Sequence, residues 1–124
     1  MRRGFLWLEL VAATLVVVGV FLQAFSISAY VRGAGESALD MHEAIGGITH
    51  LIEVIVFIAA LVAWWKHWGE VGLAFSLPLV GTIQMILVGD TEQEGGWVNG
   101  LHGLFALVVL VLAAVIAHRT MRAL

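Results

Sequence analysis

FLWLELVAATLVVVGVFLQAFSISAY, residues 5–30, holds one charged side chain, Glu9, in a run long enough to cross a bilayer, for which a helix needs about 20 mostly apolar residues. Three further stretches share this character, at residues 41–65, 71–89 and 97–118. Between them lie VRGAGESALD (31–40), KHWGE (66–70) and GDTEQEGGW (89–97), all short and rich in glycine or charge. Short connections make sequential helices antiparallel neighbours. The sequence therefore predicts one all-α domain over residues 1–124, an integral membrane up-down-up-down four-helix bundle. The first stretch exceeds the ~7–15-residue apolar core of a signal peptide, so it is expected to stay on as a span rather than be removed.

Composition supports the same class. Of 124 residues, 61% are hydrophobic and 12% charged, where soluble domains carry roughly 45–50% and about 25%. The mean hydropathy is +1.02. Six Lys and Arg against nine Asp and Glu leave no basic footprint for nucleic acid. The absence of cysteine excludes disulfides, thiolate metal sites, iron–sulfur clusters and covalent c-type haem attachment.

Positive charge sets orientation. Arg2, Arg3, Lys66, Arg119 and Arg122 fall on one side of the four spans and only Arg32 on the other, with Glu36, Asp40, Asp90, Glu92 and Glu94. Both termini are expected to be cytoplasmic, in a bacterial or archaeal cytoplasmic membrane, with the acidic loops outside. Trp7, Trp64, Trp65, Trp68 and Trp97 lie near span ends, where indole rings anchor at headgroup level.

The two hairpins resemble each other. VGVFLQ (18–23) precedes an acidic loop and MHEAIGG (41–47); VGTIQ (80–84) precedes another and LHGLFAL (101–107). Each odd span thus carries a glutamine near its outer end, Gln23 or Gln84, and each even span a histidine near its outer start, His42 or His102. Repeats of this kind are related by a pseudo-twofold axis along the membrane normal. That axis would set His42 and His102 across the bundle from each other, an arrangement suited to the two axial bonds of haem iron.

Ionisable groups inside a span are costly and are functional candidates. At about 100° per residue, Gly46 lies ~40° from His42, Glu53 ~20° and His50 ~80°; on the fourth span Ala106, Val109 and Ala113 lie within ~40° of His102. Gly46 and Ala106 would leave room beside the histidines for a flat macrocycle. Depth counted from the outer loops pairs His42 with His102; depth counted from the inner ends pairs His50 with His102, one site ~12 Å deeper than the other. His67 and His118 are expected to be solvated at the inner boundary.

Glu9, Val16, Gln23 and Tyr30 form a heptad stripe that should face the bundle, with Glu9 drawn toward Arg2 or Arg3. Glu53 is expected to hydrogen-bond His50 or Gln84, and both glutamines to act as interhelical hydrogen-bond glue. Pro78 should kink the third span. A di-metal carboxylate centre needs about four Glu and two His, and too few carboxylates are present.

VGVFLQ, DMHEAIGG, LVGTIQMILVG and LHGLFALVVLVLAAV together resemble one four-helix half of the heme A synthase family, and equally small four-span bacterial haem-b membrane proteins. The resemblance runs from about residue 5 to 118. It implies a haem b held by His42 and His102 near the outer side. The family's glutamate three residues before the first histidine is Leu39 here, and the chain matches one half of two. What the resemblance implies is therefore haem binding rather than haem modification.

The expected function is a membrane b-type cytochrome for one-electron transfer rather than a stand-alone enzyme, meeting a quinone or a redox protein at its outer face. The competing expectation is an accessory subunit of a larger respiratory or photosynthetic membrane complex, or a homo-oligomer, with structural histidines. A third, a proton- or ion-linked carrier, would use Glu9, His50 and Glu53.

Overall fold

The computed structural model describes residues 1–88 and 95–124. Four helices account for nearly all of them: α1 (Arg2–Val31), α2 (Glu36–Ala63), α3 (Trp68–Ile86) and α4 (Gly95–Ala123). All four are long and apolar enough to cross a membrane. The predicted all-α bundle is the observed architecture. The helices differ from the predicted spans at their ends: α2 begins five residues earlier and α4 ends five later, because apolar runs mark only the hydrocarbon-depth part of a helix, while α2 and α3 end two and three residues short of theirs. Asp90, Glu92 and Glu94 lie outside the described residues.

Tight reversals join the first three helices. Gly33 and Gly35 take φ of 92° and 88°, a region glycine enters without steric cost, and the Ala34 amide donates to Ala29 O. Lys66 turns the opposite end with φ 70°.

The helices form a ring in which α1 and α3 each pack against α2 and α4. Among the described residues α2 and α4 make no close backbone approach, so they stand diagonally across the bundle. The α1–α2 seam is the most extensive, and small residues explain it. Small residues are buried on both helices, Ala12, Ala13 and Val16 on α1 and Val56, Ala60 and Ala63 on α2, and a side chain at Gly19 would strike the Thr49 hydroxyl. Small residues let helix backbones approach where lipid offers no hydrophobic drive between helices. The outer surface is apolar: Phe21, Phe25, Leu51 and Val111 are each at least 60% exposed. The heptad stripe of α1 does face inward, with Glu9 and Val16 buried and Gln23 and Tyr30 half-buried.

Pro78 is buried within α3, which continues through it as one helix rather than breaking. Thr82 donates its hydroxyl proton to Pro78 O at 2.8 Å, and Ser76 donates to Leu73 O at 2.7 Å.

The basic residues gather at one end, as their sequence positions predict, but the expected Glu9–arginine pairing does not form. Arg2 instead donates from Nε to Ala63 O at 3.0 Å, one of the last carbonyls of α2, and lies 5.6 Å from the Trp64 ring centroid. Glu9 is 1% exposed and accepts from Trp64 Nε1 at 2.7 Å, with the Thr120 hydroxyl acting on the same carboxyl. A neutral indole N–H satisfies the buried carboxyl without drawing a second charge inside. Trp64 is consequently turned into the bundle, whereas Trp7, Trp65, Trp68 and Trp97 are exposed at the span ends. Arg119 pairs with Glu70 at 2.9 Å.

Candidate functional site

His42 stands in the second turn of α2 and His102 in the third turn of α4, at the end of the bundle where α1 and α3 terminate. Each reaches back to the helix before it. His42 Nδ1 is 3.0 Å from Gln23 O, and His102 Nδ1 is 2.9 Å from Gln84 O. A carbonyl oxygen only accepts, so Nδ1 carries the proton in both rings. The neutral tautomer then leaves Nε2, on the far side of each ring, without a hydrogen-bond partner among the described residues. Metal-ligating histidines almost always use their second nitrogen in this way, which fixes the ring and its tautomer.

The carbonyls are available for different reasons. Gln84 lies in the last turn of α3, where carbonyls have no amide partner within the helix. Gln23 O lies inside α1 and accepts the Ser26 hydroxyl at 3.1 Å as well as His42. The glutamines were expected to act through their side-chain amides; it is their main chain that receives the histidines. The Gln23 amide packs against α2 at Gly46, where an added Cβ would lie 2.7 Å from Gln Nε2. Gly46 thus makes room for Gln23, and Ala106 at the corresponding point of α4 is half-buried.

Although α2 and α4 are diagonal, the two imidazoles meet, with ring centroids 6.3 Å apart and planes inclined at 67°. A metal in line between two imidazoles, at about 2.0–2.1 Å from each nitrogen, places the centroids roughly 6 Å apart. An unmediated edge-on ring pair spans about 4.5–7 Å, so distance alone does not separate the two. With Nδ1 directed at a carbonyl in both rings, each histidine can offer Nε2 as a metal donor. The donor set fits a bis-imidazole haem site.

His50 is not part of this arrangement. Its Nδ1 lies 2.8 Å from Glu53 Oε2, and its Nε2 lies 3.4 Å from Thr82 Oγ1 of α3. Glu53, 2% exposed, takes His50 as its partner rather than Gln84. Gly81 lies directly behind the pair; a Cβ there would be 2.9 Å from His50 Nδ1 and would overlap the Glu53 carboxylate. His67 and His118 are exposed at the basic end. Among the described residues no three His, Cys, Asp or Glu side chains converge on a common point, so they offer no di-metal carboxylate centre.

The hairpin likeness extends to packing. The order of exposed, half-buried and buried positions over 41–53 repeats without a mismatch over 101–113. In that alignment His42 matches His102, Gly46 matches Ala106, and Thr49 matches Val109. His50 and Glu53 match Leu110 and Ala113, so the ionisable pair is special to the first hairpin. Sequence reasoning passed over Ser26, Gly81 and Thr82, and took Trp64 for a headgroup-level anchor where it is a buried donor to Glu9; no periodicity marks these roles, since each runs through a neighbour on another helix or a carbonyl within its own turn.

Comparison with protein-family models, with curated proteins and with solved structures gives no match.

Proposed function

We propose that the chain is an integral membrane b-type cytochrome that binds one haem b through His42 and His102 and serves one-electron transfer. The observation that carries this reading is the facing pair of imidazoles, 6.3 Å apart, each with Nδ1 held by a main-chain carbonyl of the preceding helix. The haem, when bound, supplies the redox chemistry. The chain's own part is to bring the two imidazoles together with Nδ1 of each engaged, so that Nε2 of each could ligate. Gln23 O and Gln84 O fix ring orientation, and Val109 and Ala113, both buried, keep water from the interior below. A haem held by both histidines would suit electron transfer rather than oxygen activation. A quinone or a redox protein meeting the end that bears these histidines is the proposed exchange partner. The charge asymmetry supports an orientation with that end outside the cell and the termini cytoplasmic.

Oxidised and dithionite-reduced spectra of the detergent-purified chain after haem supplementation test the reading. Wild type and His50→Ala should give a six-coordinate b-type spectrum that His42→Ala and His102→Ala lose. Loss in His50→Ala with retention in His42→Ala would move the ligand one layer deeper. A wild-type protein without a Soret band would overturn the cytochrome reading and leave the accessory-subunit alternative.

A further inference from the structure

The hydrogen-bond polarity around His50 fixes how many protons the His50–Glu53 pair carries. Thr82 has a single hydroxyl proton, and it is given to Pro78 O at 2.8 Å. Toward His50 Nε2, at 3.4 Å, the Thr82 oxygen can therefore only accept, so Nε2 bears a hydrogen. The 2.8 Å contact between His50 Nδ1 and Glu53 Oε2 needs a second proton between its two atoms. Whether that proton sits on the imidazole or on the carboxyl, the pair is loaded and has no net charge. Removing it leaves one negative charge, with two lone pairs facing each other at one of the two contacts.

Among the described residues no other ionisable side chain occupies this depth. On α1 there is none between Glu9 and Tyr30, on α3 none between Glu70 and the helix end, and on α4 none between His102 and His118. On α2 the nearest are His42 and Glu43 toward the outer loop, and none follows Glu53 before the helix ends. Packing does not require the pair either, because Leu110 and Ala113 fill the matching positions of the second hairpin with the same burial. A buried carboxyl and a half-buried imidazole kept where the fold accepts two apolar residues point to a use.

We propose that His50 and Glu53 form an intramembrane proton-binding site that fills when the centre between His42 and His102 gains an electron and empties when it loses one. The proposal rests on the haem reading given above. The electron comes from a quinol or a redox protein, or from a mediator dye in the assay, and the proton comes from water at a membrane face; oxidation returns both. Eight residues of helix separate His50 from His42, about 12 Å of rise. At that distance, with an effective dielectric constant near 20, one unit of charge changes proton binding about tenfold.

The test is a spectroelectrochemical titration of the full haem-loaded chain at several pH values. The reduced state favours the loaded pair, so the wild-type midpoint potential should fall as pH rises through the pair's titration window. Glu53→Gln should flatten that dependence while keeping the six-coordinate spectrum. Should Glu53→Gln not fold, His50→Leu/Glu53→Ala reproduces the side chains that the second hairpin already packs and should be flat as well. A potential independent of pH in wild type, or an unchanged dependence in these variants, would overturn the inference while leaving the cytochrome intact. Failure to bind haem would overturn both, and the missing Soret band would distinguish that case.

Discussion

Gly81→Ala sets two effects of opposite sign against each other, and the structure decides between them. In an exposed helix interior, alanine is favoured over glycine by about 1 kcal/mol. At Gly81 the added methyl overlaps the Glu53 carboxylate and comes within 2.9 Å of His50 Nδ1. Neither neighbour can yield freely, since Glu53 is 2% exposed and its carboxylate is held by His50 at 2.8 Å. Weakening a hydrogen bond to a charged group costs about 1.5–3 kcal/mol, and overpacking a filled interior costs typically 1–3 kcal/mol. The overlap wins, and Gly81→Ala should destabilise the bundle by roughly 2–4 kcal/mol. Gly72 on the same helix has nothing within 4 Å of its would-be Cβ, so Gly72→Ala should be neutral or stabilising by up to about 1 kcal/mol. Unfolding in mixed micelles titrated with SDS, followed by helical circular dichroism, reads both variants. Equal or greater stability for Gly81→Ala would refute the close approach of α3 to Glu53.

Three further outcomes follow from contacts elsewhere in the bundle. Trp64→Phe deprives the buried Glu9 of its 2.7 Å donor and should cost about 1–3 kcal/mol, whereas Trp65→Phe and Trp68→Phe, at exposed rings, should change little in the same unfolding titration. Gly46→Ala meets only the far end of the flexible Gln23 side chain, so its cost should stay below about 1 kcal/mol; a loss as large as that of Gly81→Ala would contradict this. Arg119→Ala breaks a pair whose arginine is 52% exposed, and its effect, at most about 1 kcal/mol, should shrink further when the titration is repeated at high salt.

The fold was legible because bilayer thickness converts apolar length directly into helices, and short connections convert helices into antiparallel neighbours. The meeting of His42 and His102 could be anticipated from the hairpin likeness alone, since a pseudo-twofold axis brings matching positions to one depth. The inner-end count, which favoured His50, took its reference from an apolar stretch that α4 overruns to Ala123, whereas the rings that lie side by side are those of His42 and His102. His50 and Glu53 could be paired in advance by their i, i+3 spacing. What sequence could not disclose was which polar group satisfies which across helices. Arginine was the natural partner for Glu9 by charge, yet the indole of Trp64, 55 residues away, takes that place. Likewise glycine composition cannot tell Gly81, which is pressed against a carboxylate, from Gly72, which faces open space.

The two carbonyls that receive His42 and His102 have a consequence for how this architecture can diverge. Every residue type offers the same main-chain oxygen, so positions 23 and 84 could change identity without abolishing the acceptor. What must be kept is helical phase: an insertion or deletion within α1 between Val16 and Gln23, or within α2 between His42 and Glu53, would rotate acceptor or ring away even if every side chain were retained. Descendants of this chain would therefore be expected to preserve the helical registers that bring these carbonyls to the histidines more faithfully than the glutamines that now mark them.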